Sequence, residues 1–350
     1  MSADKVGRRS FLKKAAAATA VFPAAFSLEE QILRAQQSQQ GPPRNFGQRP
    51  QQPAVPDVPG PMPMGTLCGV KISRLIAGHN LVGWQAHARD LIYVSQLLRN
   101  YFTDDKVVET YQQYEELGIN ASFLRIEARS LAVAKRYMQE RQGKLQWIAQ
   151  IVVNEQDQTR DLDLAVAAGA KLGYIRGLEG DRFFKSDRLD VIVKGIENGH
   201  KAGMKMGLAT HSLDAMIAAD KAGIPADFYV KTFNSAQYWS AGTPVPADPN
   251  WKPTKDQLVQ SEYAPGSHDN IWETTPRQTA EWFANIKKPF IAYKVLAAGA
   301  IHPRDGFKYA FEHGADFVSV GMYDFQLREN VNITKQLLGE KFERPRAWMA

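Results

Sequence analysis

The chain has 350 residues, 44% of them hydrophobic and 23% charged, with 43 Lys and Arg against 37 Asp and Glu for a net charge of +6. Part of that excess sits at the extreme N-terminus, and no Lys/Arg run interleaved with aromatics follows, which excludes nucleic acid as a partner. Cys68 is the only cysteine, so an intrachain disulfide and a Cys-based metal cluster are both excluded, and the thiol reads as a small buried hydrophobe.

The chain opens on Gly7-Arg8-Arg9-Ser10-Phe11-Leu12-Lys13, a twin-arginine export motif, followed by an alanine-rich apolar run from Ala15 to Phe26. A run of about 12 residues is too short to span a bilayer, so the segment reads as a cleavable signal and the mature protein has no integral membrane span. Its partner is the twin-arginine translocation machinery, and its destination is the periplasm or the medium. Proteins with such signals are exported already folded, often around a cofactor or metal. Pro23-Ala24-Ala25-Phe26-Ser27 is an imperfect cleavage site, which leaves open whether the signal is removed or kept as an anchor. The segment that follows is rich in Gln, Pro and Gly and lacks the apolar content to offset ordering entropy. The expected layout is a signal peptide over 1–30, a disordered linker over 31–64, a single domain over 65–340 and a short tail over 341–350.

From Lys71 onward, short apolar runs alternate with amphipathic helical stretches. The expected strands are Arg74–Ala77, Ala121–Ile126, Gln146–Val152, Leu172–Arg176, Lys205–Ala209, Asp227–Lys231, Phe290–Lys294 and Phe317–Val320. Helices are expected at Asp104–Leu117, Ser130–Arg141, Arg160–Ala168, Ser186–Lys201, Ser212–Lys221, Thr275–Ile286, Pro303–His313 and Asp324–Leu338. Several end at a glycine that leads straight into the next strand, as at Gly118, Gly169, Gly203, Gly223 and Gly314. Eight such units in about 270 residues specify an α/β fold, a single (β/α)8 TIM barrel. A doubly wound open sheet is disfavoured because no Gly-x-Gly-x-x-Gly turn follows the first strand.

In a barrel of this kind the functional groups gather where the strands end. Those ends offer His79 and Asn80, Arg125 and Glu127, Gln150 and Asn154, Arg176, Glu179 and Asp181, Thr210, His211 and Ser212, Lys231 and Asn234, Lys294, and Met322, Tyr323 and Asp324. Two long loops, Gly78–Thr103 and Thr232–Thr274, have the length of lids or binding segments, and the second carries Trp239, Trp251 and Trp272 among the chain's seven tryptophans. The site chosen on position has Glu127 and His211 as acid and base and Lys231 and Lys294 as electrophilic or Schiff-base lysines. His79, Asn80, Arg125, Arg176, Asn234, Trp239 and Tyr323 are the substrate-binding set, with Arg125 and Arg176 holding an anion or hydroxyl. His79, His87, Glu127 and His211 form an imidazole and carboxylate set suited to a divalent transition metal. The small residues from Ala297 to Ile301 and around Gly321 permit, without requiring, a phosphate near the last strands. The cofactor stays open, with a divalent metal ranked ahead of NAD(P).

Two resemblances extend this reading. Phe228-Tyr229-Val230-Lys231-Thr232-Phe233 resembles the strand-six lysine segment of class I aldolases of the keto-deoxy-sugar-acid type, which implies a Schiff base at Lys231. Lys71-Ile72-Ser73-Arg74-Leu75-Ile76-Ala77-Gly78 and Tyr114-Glu115-Glu116-Leu117-Gly118-Ile119-Asn120 resemble the opening of aldo/keto reductases, NADPH-dependent barrels. That family's catalytic Asp, Tyr, Lys and His are absent: the second strand reads Ser122-Phe123-Leu124-Arg125-Ile126-Glu127, the third ends at Gln150 to Val153 and the fourth at Arg176. The resemblance therefore implies the fold more than the activity. The expected function is acid/base chemistry on a small polar, sugar-derived carbonyl compound, of lyase, isomerase or hydrolase type. The alternatives are an NAD(P)-linked oxidoreductase and a periplasmic barrel that binds its ligand without turnover.

Overall fold

The computed structural model describes residues 55–85, 93–238, 273–341 and 343–350. The export signal and most of the Gln/Pro-rich segment lie outside them. The fold opens with an antiparallel hairpin, β1 (Met64–Leu67) and β2 (Val70–Ser73), which reverses at Cys68 and Gly69, both with left-handed backbone (φ +50° and +88°) as a tight two-residue hairpin requires. Burial pushes the Cys68 thiol up to about 11, which makes it inert, in line with its reading as a packing group.

Eight further strands close a barrel in which every neighbouring pair is parallel: β3 (Leu75–Ala77), β4 (Ala121–Arg125), β5 (Gln146–Ile151), β6 (Leu172–Ile175), β7 (Lys205–Thr210), β8 (Phe228–Thr232), β9 (Phe290–Tyr293) and β10 (Phe317–Val320), the last pairing back onto β3. These are the eight strands expected from the sequence. The helices among the described residues are α1 (Val94–Tyr101), α2 (Asp104–Glu116), α3 (Ala128–Glu140), α4 (Arg160–Ala167), α5 (Gly177–Lys185), α6 (Leu189–Lys201), α7 (Leu213–Lys221), α8 (Pro276–Phe283), α9 (Pro303–Glu312) and α10 (Asp324–Gly339). The helix-ending glycines adopt the left-handed conformation expected of them, with φ +86° at Gly118 and +103° at Gly314. No described helix is long and apolar enough to cross a membrane.

Two helices were not foreseen. The first, α1, arises inside the loop expected from Gly78 to Thr103. The second, α5, starts directly at the end of β6 with no side-chain cap and carries glycines at 177 and 180, which lowers its propensity. Packing overrides that cost: a Cβ at Gly180 would stand 2.2 Å from the Ala209 carbonyl oxygen, so glycine lets α5 press against β7.

Strand alternation divides the core in two. Ile76, Phe123, Ile148, Tyr174, Ala209, Val230, Ile291 and Phe317 fill the barrel interior together with Leu67 and Ile72 of the hairpin. Their neighbours Leu75, Leu124, Trp147, Ile175, Leu208, Tyr229, Phe290 and Val318 pack outward against the helices. Burial on both faces explains why these strands read as continuous apolar runs.

The N-terminal end of the barrel is sealed by the hairpin and by the last residues of the chain. Arg74 donates to the carbonyls of Asp316 (2.9 Å) and Ala350 (2.6 Å), and its guanidinium lies 4.0 Å from the Trp348 ring centroid. Arg346 pairs with Asp316 at 2.5 Å, both buried, and Asp316 also accepts from the N–H groups of Phe290 and Met349. The stretch expected as a short tail is thus anchored to the barrel through Arg346, which is buried, a contact for which the sequence gives no sign. Contacts also begin ahead of Gly65: the Val58 N–H donates to Asn332, Asn332 donates to Asp57, and Met62 is buried.

Removing one partner of a buried pair leaves the other charge uncompensated. Asp316→Ala is therefore expected to lower unfolding stability by about 3–5 kcal/mol, read by denaturant titration.

Candidate active site

The inward positions of each strand continue into its C-terminal end and set the walls of a cavity of about 340 Å³. Gly78 and Asn80 follow Ile76, Arg125 follows Phe123, and Gln150 follows Ile148. Arg176 follows Tyr174, His211 follows Ala209, Tyr293 follows Ile291, and Ser319 and Gly321 follow Phe317; all of these line the cavity. Loop residues Leu81 and Gln85, the α1 residues Val94 and Leu98, and Tyr323 and Gln326 close its rim.

The most organised part of this wall is the pair His211 and Asp181. Asp181, on α5, is buried, and its carboxylate accepts the backbone N–H groups of His211 (3.0 Å) and Ser212 (3.1 Å) as well as the His211 ring at Nδ1 (2.6 Å). These bonds fix both the carboxylate and the imidazole, and with Nδ1 committed to Asp181, Nε2 is the atom that takes or gives a proton. Burial lowers the pKa of His211 below its ordinary value, while Asp181 pulls it back up and Lys294 and Lys231 oppose that pull. Beside it, a Cβ on Gly177 would stand 2.6 Å from the Tyr293 hydroxyl and 2.9 Å from His211 Cε1, so only glycine fits between the two. Burial holds the Tyr293 phenol well above its usual pKa, which keeps it a neutral hydroxyl.

Around this pair stand basic groups backed by carboxylates. Arg176 makes a two-pronged contact with buried Glu179, at 2.6 and 2.7 Å. Arg125 pairs with Glu127 at 3.2 Å. Lys294 follows Tyr293 and would point outward on the strand period, but its left-handed backbone (φ +56°) breaks that period and it lines the cavity. Gln150 donates to the Tyr174 hydroxyl at 3.0 Å and completes a polar floor.

The structure thus gathers His79, His211, Lys294, Arg125, Arg176, Asn80 and Tyr323 at one cavity, Tyr323 stacking on Phe102 with ring centroids 5.3 Å apart. It does not bring Lys231 there. On β8, Phe228 and Val230 face the interior, so Lys231 faces outward with Tyr229, fully buried, donating to the Thr232 carbonyl (2.8 Å) and pairing with Glu273 at 3.2 Å. Glu273 is held in turn by Thr275 and Thr279, and burial raises its pKa against the pull of Lys231. The expected Schiff-base role for Lys231 is corrected on this geometry. Glu127 also stands off the cavity: it precedes α3 and accepts from Ser130 at 2.9 Å while pairing with Arg125. Asn234 is a backbone brace, donating to the Lys294 carbonyl (3.2 Å) and accepting the Ala236 N–H.

The expected metal set does not assemble either. His79 lines the cavity, but its Nε2 lies 2.9 Å from the Ser130 hydroxyl of α3. Burial first, then Arg125 and Arg129, lower its pKa to about 3. His79 follows β3 and His211 follows β7, which are four places apart in the eight-strand order and so occupy opposite walls. Among the described residues no group of three His, Cys, Asp or Glu side chains is placed to hold a metal ion. His87 and Trp239 lie outside the described residues. Asp181, Tyr293, Gln150 and Tyr174 were not chosen from the sequence, although Asp181 and Gln150 stood among the strand-end residues and strand parity marks Tyr174 and Tyr293.

No family model matches the chain, and no curated protein matches it. Solved structures do. The one described as "Putative aldo-keto reductase from Pseudomona aeruginosa" is 15% identical with a TM-score of 0.52, covering 79% of this chain and 94% of its own. An aldo-keto reductase from Bacillus halodurans is 10% identical with a TM-score of 0.49, covering 80% and 92%. A truncated 3-deoxy-D-arabino-heptulosonate 7-phosphate synthase from Thermotoga maritima is 12% identical with a TM-score of 0.45, covering 81% and 95%. At such identity the first likeness shows the barrel fold alone.

A buried, paired amine is closed to reagents. Reductive trapping of a small carbonyl compound with borohydride, followed by peptide mass mapping, is expected to leave Lys231 unmodified in the folded protein.

Proposed function

We propose that this protein is an exported enzyme that moves a proton at carbon next to a carbonyl group in a small, sugar-derived substrate. The observation that carries this reading is the Asp181–His211 pair, an imidazole oriented by a buried carboxylate on the wall of a cavity that also holds basic side chains. His211 Nε2 takes the proton from carbon, the electron pair of the C–H bond moves onto the carbonyl oxygen, and the resulting imidazolium is stabilised by Asp181. Arg125, Gln150 and Lys294 line the same cavity and are the groups suited to hold the developing oxyanion. Return of the proton to the same or the neighbouring carbon gives an isomerase outcome, and loss of a group from the adjacent carbon gives a lyase outcome. The reading needs no Schiff base.

Wild-type protein in heavy water is expected to wash the α-proton out of at least one three- to six-carbon hydroxycarbonyl compound, followed by NMR. His211→Asn should slow that exchange by about 100-fold or more while the protein stays folded. Exchange that persists unchanged in this variant, or its absence across the whole series, overturns the reading. The acid limb of the pH profile is expected below 6.5, since burial lowers the His211 pKa from that value. Asp181→Asn removes the charge that raises it, so the limb should move to lower pH as the rate falls.

The twin-arginine motif supports export. Arg8→Lys together with Arg9→Lys is expected to hold the protein in the cytoplasm, read by cell fractionation.

A further inference from the structure

Strand parity brings a phenol to the same wall as His211. Tyr293 ends β9 and lines the cavity, and its hydroxyl and the His211 imidazole converge at Gly177. A Cβ there would stand 2.6 Å from the hydroxyl and 2.9 Å from His211 Cε1, and the two ring centroids lie 5.7 Å apart. The strands that carry them, β7 and β9, flank β8 in the barrel.

The Tyr293 hydroxyl is weakly engaged by the chain. Among the described residues it donates only to the Thr210 carbonyl, at 3.5 Å. That is beyond the roughly 2.5–3.0 Å of an ordinary O–H···O bond. Thr232 stands opposite Tyr293 in the β8–β9 register, and its fully buried hydroxyl has no hydrogen-bond partner among the described residues. Burial raises the pKa of the phenol and Asp181 adds to that effect, while the Thr232 hydroxyl pulls the other way. Hydroxyls left so poorly bonded inside a packed barrel are costly, and a ligand in the cavity that accepts from Tyr293 removes part of that cost.

We infer that Tyr293 is a catalytic residue, whose hydroxyl donates to the carbonyl oxygen of the substrate while His211 works on the neighbouring carbon. The inference rests on the acid/base reading for the reaction it serves. As His211 takes the proton, the C–H pair forms the new C=C bond and the carbonyl π pair moves onto oxygen. The Tyr293 proton stays on the phenol throughout, and its hydrogen bond strengthens as that oxygen gains charge. A neutral phenol suits this task because it keeps a hydrogen to offer at every working pH. Thr232 supports it, since the phenol oxygen becomes a better acceptor for the Thr232 hydroxyl as Tyr293 donates.

The test joins a spectroscopic readout to the exchange assay, both on the full chain. The probes are dihydroxyacetone and L-erythrulose labelled with carbon-13 at the carbonyl, followed by infrared difference spectroscopy in the His211→Asn variant, where the carbonyl is not consumed. At least one probe is expected to show its carbonyl stretch moved to lower frequency on binding, and adding Tyr293→Phe should return it most of the way to the free position. In the otherwise wild-type chain, Tyr293→Phe should slow α-proton exchange by about 100-fold or more. The melting transition and the Nδ1 proton resonance of the Asp181–His211 hydrogen bond should stay where they are. No carbonyl shift with either probe, a shift that survives Tyr293→Phe, or exchange that stays near the wild-type rate overturns the inference. So does slowed exchange accompanied by a moved melting transition or Nδ1 resonance, because the phenol would then act only by packing the imidazole. If the carbonyl shift depends on Tyr293 but wild-type protein exchanges no proton, the donor site stands and the acid/base reading falls. If exchange depends on His211 and not on Tyr293, that reading stands and this inference falls.

Discussion

The two-residue period of a strand in a closed parallel barrel is the constraint from which the rest of this molecule follows. Once β3 to β10 close, each strand has one set of side chains inside and one outside, and the set that fills the interior lower down becomes the wall of the cavity higher up. Phe123 leads to Arg125, Ile148 to Gln150, Ala209 to His211 and Ile291 to Tyr293. The apolar layer beneath thus fixes which polar groups meet above it. The same parity sends Lys231 outward, where a lone ammonium would be untenable, and Glu273 with its threonine partners is the compensation for that position.

Departures from the period are local and have visible causes. Lys294 enters the cavity because its backbone is left-handed, a conformation that costs a non-glycine residue of order 1 kcal/mol and is held by Asn234 on its carbonyl. Asp181 reaches His211 from a helix, not a strand, because Gly180 allows α5 to lie against β7 and Gly177 leaves space for the imidazole. The first departure adds a charged group to the wall that strand alternation alone would not have supplied, and the second sets a carboxylate behind His211.

Most of the fold was legible in the sequence. Apolar runs, helix-ending glycines and the spacing of eight units gave every barrel strand to within a residue at either end. The site was legible in part. Choosing residues by their place at strand ends found His211, Arg125, Arg176 and Lys294, but it ignored which way each points, and so admitted Lys231 and passed over Gln150, Tyr174 and Tyr293. Parity is legible in the sequence: Phe228 and Val230 alternate with Tyr229 and Lys231. What no strand pattern reveals is the pairing of Asp181 with His211, which are 30 residues apart and meet only through the packing of α5. The hairpin and the C-terminal seal were hidden for a similar reason, since Arg346 and Asp316 are also 30 residues apart, in a region where the sequence shows only an exposed-looking tail.

The two ends of the barrel put buried charge to opposite uses. At the N-terminal end, Asp316 sits in the interior with Arg346 against it and Arg344 and Arg74 close by, so the carboxylate is central and the cations surround it. At the C-terminal end the order is reversed, with cations facing the cavity and the carboxylates of Glu127, Glu179 and Asp181 behind them. The first arrangement is turned onto the chain itself, with Arg346 and Arg344 at the Asp316 carboxylate and Arg74 on backbone oxygens. The second turns its positive side toward a cavity of about 340 Å³. A barrel whose stability is secured at one end is free to give the other end over to polar and charged groups that face a cavity instead of packing a core.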